Sequence, residues 1–414
     1  MLRLTKELIK IYTPGSRYRF VIGAVVFLAS LSVGLIWVAP GPLLPLIMEE
    51  YGLGRGAVSW SMAMVALVVA VFAVPAGMLA SKIGLRKTFA IGAFLMAAGL
   101  ATPWATSFPL FLATRLLFAI GTAMTFPLLG GISMQWFRRK EVPMVNGINV
   151  AANTMGNALA FSLSVPLAQA FSNWRIPLFI YASVAFLAAI AWLVWGKETH
   201  EPIDDDPAAP AQLPPITIGH ALKQRTTLLL ALSVTGPFAL FMAISSWLPT
   251  YYFEVFHIPL DKASAMTALF TVFGIPAAIL GGFLPMRVGL RRPFLIIPGL
   301  LMTFAGLGTF AINNPAVIYT SIALFGITNL IFMPVLLTIP IELPRMTPRT
   351  VAVVLAVALA VGNLSGAAGP LVVGYLADST GSYIPGLVLF SVLAWSLLIG
   401  GLLLPETGHK RKQV

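Results

Sequence analysis

Twelve apolar stretches run along the chain, each near or above the ~20 residues a helix needs to cross a ~30 Å hydrocarbon core, and they leave it few other ways to fold. Spans are expected at residues 20–48, 57–81, 87–106, 109–136, 142–171, 175–196, 226–254, 262–286, 293–311, 315–342, 347–377 and 381–404. Several approach 28 residues, which suits tilted helices. Only 10% of the residues are charged and 58% are apolar, whereas soluble domains carry about 25% charged residues. The first run follows a polar, basic segment, exceeds a signal-peptide core and lacks a small-residue cleavage site, so it reads as a span. No cysteine is present, which excludes disulfides, thiolate metal sites and thiol nucleophiles.

A net charge of +12 could indicate a nucleic-acid surface, but its placement argues otherwise. Arg3, Lys6, Lys10, Arg17 and Arg19 precede the first span. Lys82, Arg86 and Lys87 fall between spans 2 and 3, and similar basic groups follow spans 4, 6, 8, 10 and 12, ending with Lys410, Arg411 and Lys412. The opposite side holds Arg55, Arg175 and Lys262. This bias predicts that both termini lie in the cytoplasm of a cell that carries the chain in its plasma or inner membrane. The charge is a topology signal, and no nucleic-acid partner is expected.

One connection, residues 197–225, is long, acidic and Pro-rich. It divides the chain into an N-terminal six-helix bundle (1–196), a cytoplasmic linker (197–225) and a C-terminal six-helix bundle (226–414). The halves repeat. Gly77 to Lys87 matches Gly282 to Arg292, Phe126-Pro127 matches Met333-Pro334, and Trp174 to Pro177 matches Ser382 to Pro385. A near-constant offset at three landmarks indicates duplication, the construction of many transporters.

With these features the chain resembles the major facilitator superfamily over nearly its whole length. The loop Gly77, Leu79, Ala80, Ser81, Lys82, Gly84, Arg86, Lys87 is similar to that family's G-x-L-A-D-R-x-G-R-K motif. Ser81 stands where the family has aspartate, and Met286 or Pro285 does so in the second half, so the usual charge-relay latch is not expected in its usual form. Arg115-Leu-Leu-Phe-Ala119-Ile-Gly121 is similar to the family's helix-4 arginine motif, with alanine at the first glycine. Span 5 lacks the family's Gly-Pro antiporter motif, although Gly366-Ala-Ala-Gly369-Pro370 through Gly374 occurs on span 11. Spans 4 to 6 resemble porters of cyanate and nitroimidazoles. The resemblance implies two pseudo-symmetric six-helix bundles around a central path. It also implies gating roles for Gly77, Lys82, Gly84, Arg86, Lys87, Gly282 and Gly289, with Tyr251 and Tyr252 shaping an outer gate.

Arg115 is the charged residue well inside a span, ~9 Å from its start. A buried intramembrane charge usually faces a cavity or a partner, or else snorkels to the interface. The acidic residues and histidines lie in loops or near helix ends. An anionic substrate is therefore the expected counter-charge, and Glu49, Glu254 or Asp378 folding inward is the alternative. Asn146, Asn149, Asn153 and Asn157 share one face of span 5. The first two are expected in helix contacts, the last two along the path. Trp37, Thr122, Thr125, Ser246, Trp247 and Asn329 lie on helices that line the cavity in the similar family, and are expected substrate contacts. Ser30, Ser245, Thr328, Thr267 and Thr271 are weaker choices.

No P-loop, nucleophile elbow, His-Glu-x-x-His pair or dinucleotide fingerprint is present, so neither an enzyme nor a cofactor is expected. The expected function is alternating-access transport of a small organic or inorganic anion by a monomer in the lipid bilayer, as uniporter or exchanger. The alternative is an aromatic-lined site, with Trp37, Trp60, Trp247, Tyr251 and Tyr252, for a neutral or cationic organic solute. A non-transporting sensor on the same fold is a third reading.

Overall fold

The computed structural model describes residues 17–138, 141–197, 224–343 and 348–408. Most of the 197–225 linker and the terminal basic residues, among them Arg3 and Lys410, lie outside the described residues. All regular structure among the described residues is helical. The helices are α1 (Tyr18–Val38, continuing past a kink as Pro40–Tyr51), α2 (Arg55–Ile83), α3 (Leu85–Trp104), α4 (Phe108–Trp136), α5 (Val142–Ala170) and α6 (Arg175–Trp195). The second half has α7 (Arg225–Glu254), α8 (Leu260–Val288), α9 (Pro293–Gly308), α10 (Pro315–Glu342), α11 (Pro348–Thr380) and α12 (Ile384–Leu403). Ten regions meet the length and hydropathy of a membrane span. The two helices outside that set are α9, with 16 residues, and α5, whose asparagines dilute its hydropathy. Together they make the two six-helix bundles of an all-α membrane protein.

The long spans are bent where prolines remove a helix donor. α1 breaks at Ala39 before Pro40, α4 at Phe126-Pro127, and α10 at Phe332 before Pro334. The 20–48 stretch is thus two helical pieces rather than one.

Glycines bring backbones together within each half. A Cβ on Gly34 (α1) would strike the Asn153 carbonyl of α5, and one on Gly156 would strike the Leu31 carbonyl in return. In the second half Gly369 of α11 meets the Ala239 carbonyl of α7, and Gly326 of α10 meets the Phe270 carbonyl of α8.

The face carrying Lys82 and Arg86 is here termed the basic face, and the other end the far face. The halves meet at the far face. Ser59 of α2 donates to the Pro370 carbonyl of α11, Ser264 of α8 to the Phe161 carbonyl of α5, and Gly41 of α1 packs on the Ser245 carbonyl of α7. Toward the basic face they part. Between 71 and 83, α2 is buried only at Ala76 and Ala80; between 278 and 288, α8 is buried only at Gly281 and Pro285. Each helix there is held along one stripe, with both flanks open. The far part of α2, by contrast, buries Ser61, Met62, Ala63, Val65, Ala66, Val68, Val69 and Ala70. The described conformation is closed at the far face and open at the basic face.

Gly34→Leu is expected to drive α1 off α5 at a cost of about 3 kcal/mol or more. Gly77 and Gly282 face open space, so leucine there should be tolerated. Size-exclusion profiles and melting temperatures of the three purified variants check the contrast.

Candidate functional site

The site starts from a loss. Pro40 has no N–H, so the Ile36 carbonyl four residues earlier loses its helical donor, and the kink frees its neighbour on Trp37. In hydrocarbon a freed carbonyl must be satisfied by protein. Arg115 of α4 supplies the donors. Its Nη1 donates to Ile36 O at 2.7 Å, Nη2 to Trp37 O at 3.0 Å and Nε to Ser61 O of α2 at 2.9 Å. The guanidinium also stands 5.2 Å from the Phe118 ring centroid. It is 97% buried, since only 3% of the residue is exposed. Ser61 lies two residues from Ser59 of the closed far layer, so Arg115 sits just beneath that layer.

Three carbonyls satisfy hydrogen bonds without neutralising a charge. The carboxylates considered for that task go elsewhere: Glu254 and Asp378 both engage Arg55 at the far face, and Glu49 is exposed. Among the described residues, therefore, nothing compensates the Arg115 charge, and two of its five N–H groups have no acceptor.

The asparagines of α5 lie along the helix face packed against α1, the helix that supplies two of the carbonyls bonded by Arg115. Asn153 reaches the Ser30 carbonyl of α1 at 3.4 Å. Among the described residues the buried side-chain oxygen of Asn157 and the buried amide nitrogen of Asn149 have no hydrogen-bond partner. Trp37 is half-buried and contributes its carbonyl to Arg115. Thr122 and Thr125 bond back to Phe118 and Gly121 carbonyls of their own helix, and Thr125 also meets Met96 of α3. Ser246 bonds back to Met242, whereas the buried Ser245 hydroxyl has no partner among the described residues. Asn329 is nearly buried on α10 and Thr328 bonds back along that helix.

Trp247, Tyr251 and Tyr252 belong to the far layer. Trp247 donates to Pro370 O at 2.9 Å, Tyr251 to Phe310 O at 2.9 Å and Tyr252 to Thr309 O at 2.7 Å. At the basic face Gly84 and Gly289 end α2 and α8 with φ of 88° and 74°, which side chains rarely adopt. Gly77 and Gly282 face open space, and Lys82, Arg86 and Lys87 are exposed. Ser81 turns back on the Met78 carbonyl of its own helix. Arg291, the repeat partner of Arg86, pairs instead with Glu342 at 2.5 Å, within its own half.

Sequence reasoning missed the far-face cluster. Arg55 donates to Glu254 at 2.8 Å and to the Tyr383 hydroxyl at 2.6 Å. The backbone N–H groups of Arg55 and Gly56 donate to the two Asp378 oxygens at 2.9 and 2.8 Å. These partners are 199 to 328 residues apart, so no local pattern joins them. A signal existed in the repeat: Glu50 and Glu254 each follow a proline, Pro45 and Pro249, by the same interval.

Comparison with known proteins agrees with this architecture. The sequence profile of the Major Facilitator Superfamily matches residues 26–346. The chain belongs to that superfamily. It is 27% identical to a probable nitrate/nitrite antiporter of Thermus thermophilus, aligned over 68% of this chain and 65% of that protein. It is 24% identical to a D-galactonate transporter of Escherichia coli, over 86% and 89%. A bacterial homologue of the human lysosomal transporter Spinster, solved inward-facing and unoccupied, shares the fold with a TM-score of 0.70 and 17% identity, over 94% of this chain and 95% of that one. Transport across a membrane is therefore its class of activity.

Arg115→Gln should cost roughly 2–3 kcal/mol of stability by leaving buried carbonyls unpaired. Pro40→Ala returns a donor to Ile36, so it should offset part of that loss. Melting temperatures of the two single variants and the double variant check this, with a non-additive cycle as the expected result.

Proposed function

We propose that the protein carries a small organic or inorganic anion by alternating access, and that the uncompensated charge of Arg115 is what draws the anion to mid-membrane. The supporting observation is a buried guanidinium bonded to three carbonyls and, among the described residues, to no carboxylate. Its position joins two tasks. It holds the α1 break and sets a positive potential where the basic-face opening ends. Asn153 and Asn157 would orient the anion, with Trp37, Thr122, Thr125, Ser246 and Asn329 as further contacts. That relatives include a nitrate/nitrite antiporter and a galactonate transporter fits an anionic solute.

Carboxylates and histidines lie near helix ends in the sequence, so uniport or anion exchange is proposed over proton symport. The basic face is proposed to be cytoplasmic, which makes the described conformation open to the cytoplasm, in a monomer of the plasma or inner membrane.

A charge-assisted bond contributes about 1.5–3 kcal/mol, so Arg115→Gln should weaken anion binding by about ten- to a hundred-fold. Arg115→Lys keeps the charge but lacks the planar fork and should restore binding only in part. Calorimetry on the preparation used for melting curves separates the two tasks. Unchanged affinity in well-folded Arg115→Gln protein would reduce Arg115 to a brace. Reporters fused within residues 197–225 should be active only in the cytoplasm; access from outside would reverse the orientation.

A further inference from the structure

The far-face ends of the two halves are built from the same parts, wired differently. In the N-terminal half Glu50 pairs with Arg175 at 2.5 Å, and both belong to that half. Arg175 also bonds the Tyr51 hydroxyl at 3.2 Å and the Ala105 carbonyl at 3.0 Å, while Trp174 donates to Glu50. The C-terminal counterpart of Glu50 is Glu254, five residues beyond Pro249 as Glu50 is beyond Pro45. The counterpart of Arg175-Ile-Pro177 is Tyr383-Ile-Pro385. Tyr383 donates its hydroxyl to Glu254 at 2.9 Å, but it brings no positive charge. Arg55 of the other half brings that charge, at 2.8 Å from Glu254 and with its guanidinium 5.2 Å from the Tyr383 ring centroid.

We infer that tyrosine at 383, in place of the arginine found at the matching position 175, leaves Glu254 short of a cation in its own half and so turns a local ion pair into the latch that holds the far face shut. Arg55 is the bolt. Asp378 adds to it by accepting the Arg55 and Gly56 backbone N–H groups, with Arg55 Nη1 3.9 Å from one oxygen. Close approach is possible because Gly56 lies against the Tyr375 ring and Gly374 against Ser59 and the Arg55 carbonyl. The Arg55, Glu254 and Asp378 side chains are 35%, 26% and 35% exposed. A water-touched pair of this kind breaks at modest cost, as a gate that must open in every cycle requires. The N-terminal Glu50–Arg175 pair stays within one half and rides with it unbroken.

The inference rests on the alternating-access reading, but its test needs no substrate and so fails or succeeds apart from the anion assignment. The chain has no cysteine, so spin labels attach only where cysteine is introduced. Phe171→Cys and Ile312→Cys place labels on opposite halves of the far face, at residues 58% and 54% exposed. Pulsed electron-electron resonance in lipid nanodiscs then reads the separation of the halves. The parent should give a single short distance. Arg55→Gln should add a longer-distance population, raising the open-to-closed ratio by about ten-fold. Tyr383→Arg should do the same with Arg55 intact, because Glu254 then has a cation in its own half. Tyr383→Phe keeps the ring and the Arg55–Glu254 bond and should stay closed. A closed Tyr383→Arg protein beside an open Arg55→Gln protein would overturn the rewiring. Tyr383 is packed against Trp247 and Tyr251; if Tyr383→Arg does not fold, Glu254→Gln decides, since it releases Arg55 without touching that packing. Closed Glu254→Gln and Arg55→Gln proteins would overturn the latch.

Discussion

A carbonyl released inside hydrocarbon has no water to turn to, and the rest of the structure is arranged around that fact. Pro40 releases Ile36 and bends α1, and Arg115 crosses from α4 to hold the freed carbonyls together with Ser61 of α2. One side chain thereby ties three helices of the N-terminal half beneath the closed layer. Pro249 releases the Ser245 carbonyl of α7 in the same way, and there the backbone of Gly41 moves in against it. At Pro40 and at Pro249 the freed carbonyl is answered by a neighbour in close contact.

Charge makes the two halves unequal. At the repeat offset, Arg115 corresponds to the buried apolar Ile322, so the positive potential belongs to one half. Arg175 corresponds to Tyr383, so the other half has no cation at that matching position. Duplication supplied two similar bundles, and a few side-chain differences assign one of them a central charge and the other an acceptor that reaches across. The proposed carriage of an anion would draw on both: a fixed charge beneath the closed layer, and an interface that releases without unfolding either bundle.

Much of the fold was legible in the sequence because lipid imposes length and apolarity on every span. Span 5 survived four asparagines because its length and flanking loops still matched, although its hydropathy is weak. Arg115 was legible as a buried charge, but its partners were not: backbone carbonyls leave no trace in residue identity. The Arg55 cluster escaped for a different reason, since Asp378 and Tyr383 meet Arg55 across more than 300 positions of sequence. Tyr251 and Tyr252, expected to shape an outer gate, bond to Phe310 and Thr309 of their own half rather than across the interface.

The sign of the solute's charge is the most direct measure of what Arg115 does. Melting curves of the purified wild-type protein can be recorded against small carboxylates, nitrate and phosphate, and against amines and neutral sugars at equal ionic strength. Dose-dependent stabilisation by one or more of the anions alone is expected, since ligand bound to the folded state raises its stability with concentration. Stabilisation by an amine or a neutral sugar, with none by any anion, would contradict the assignment of Arg115 as the centre of an anion site.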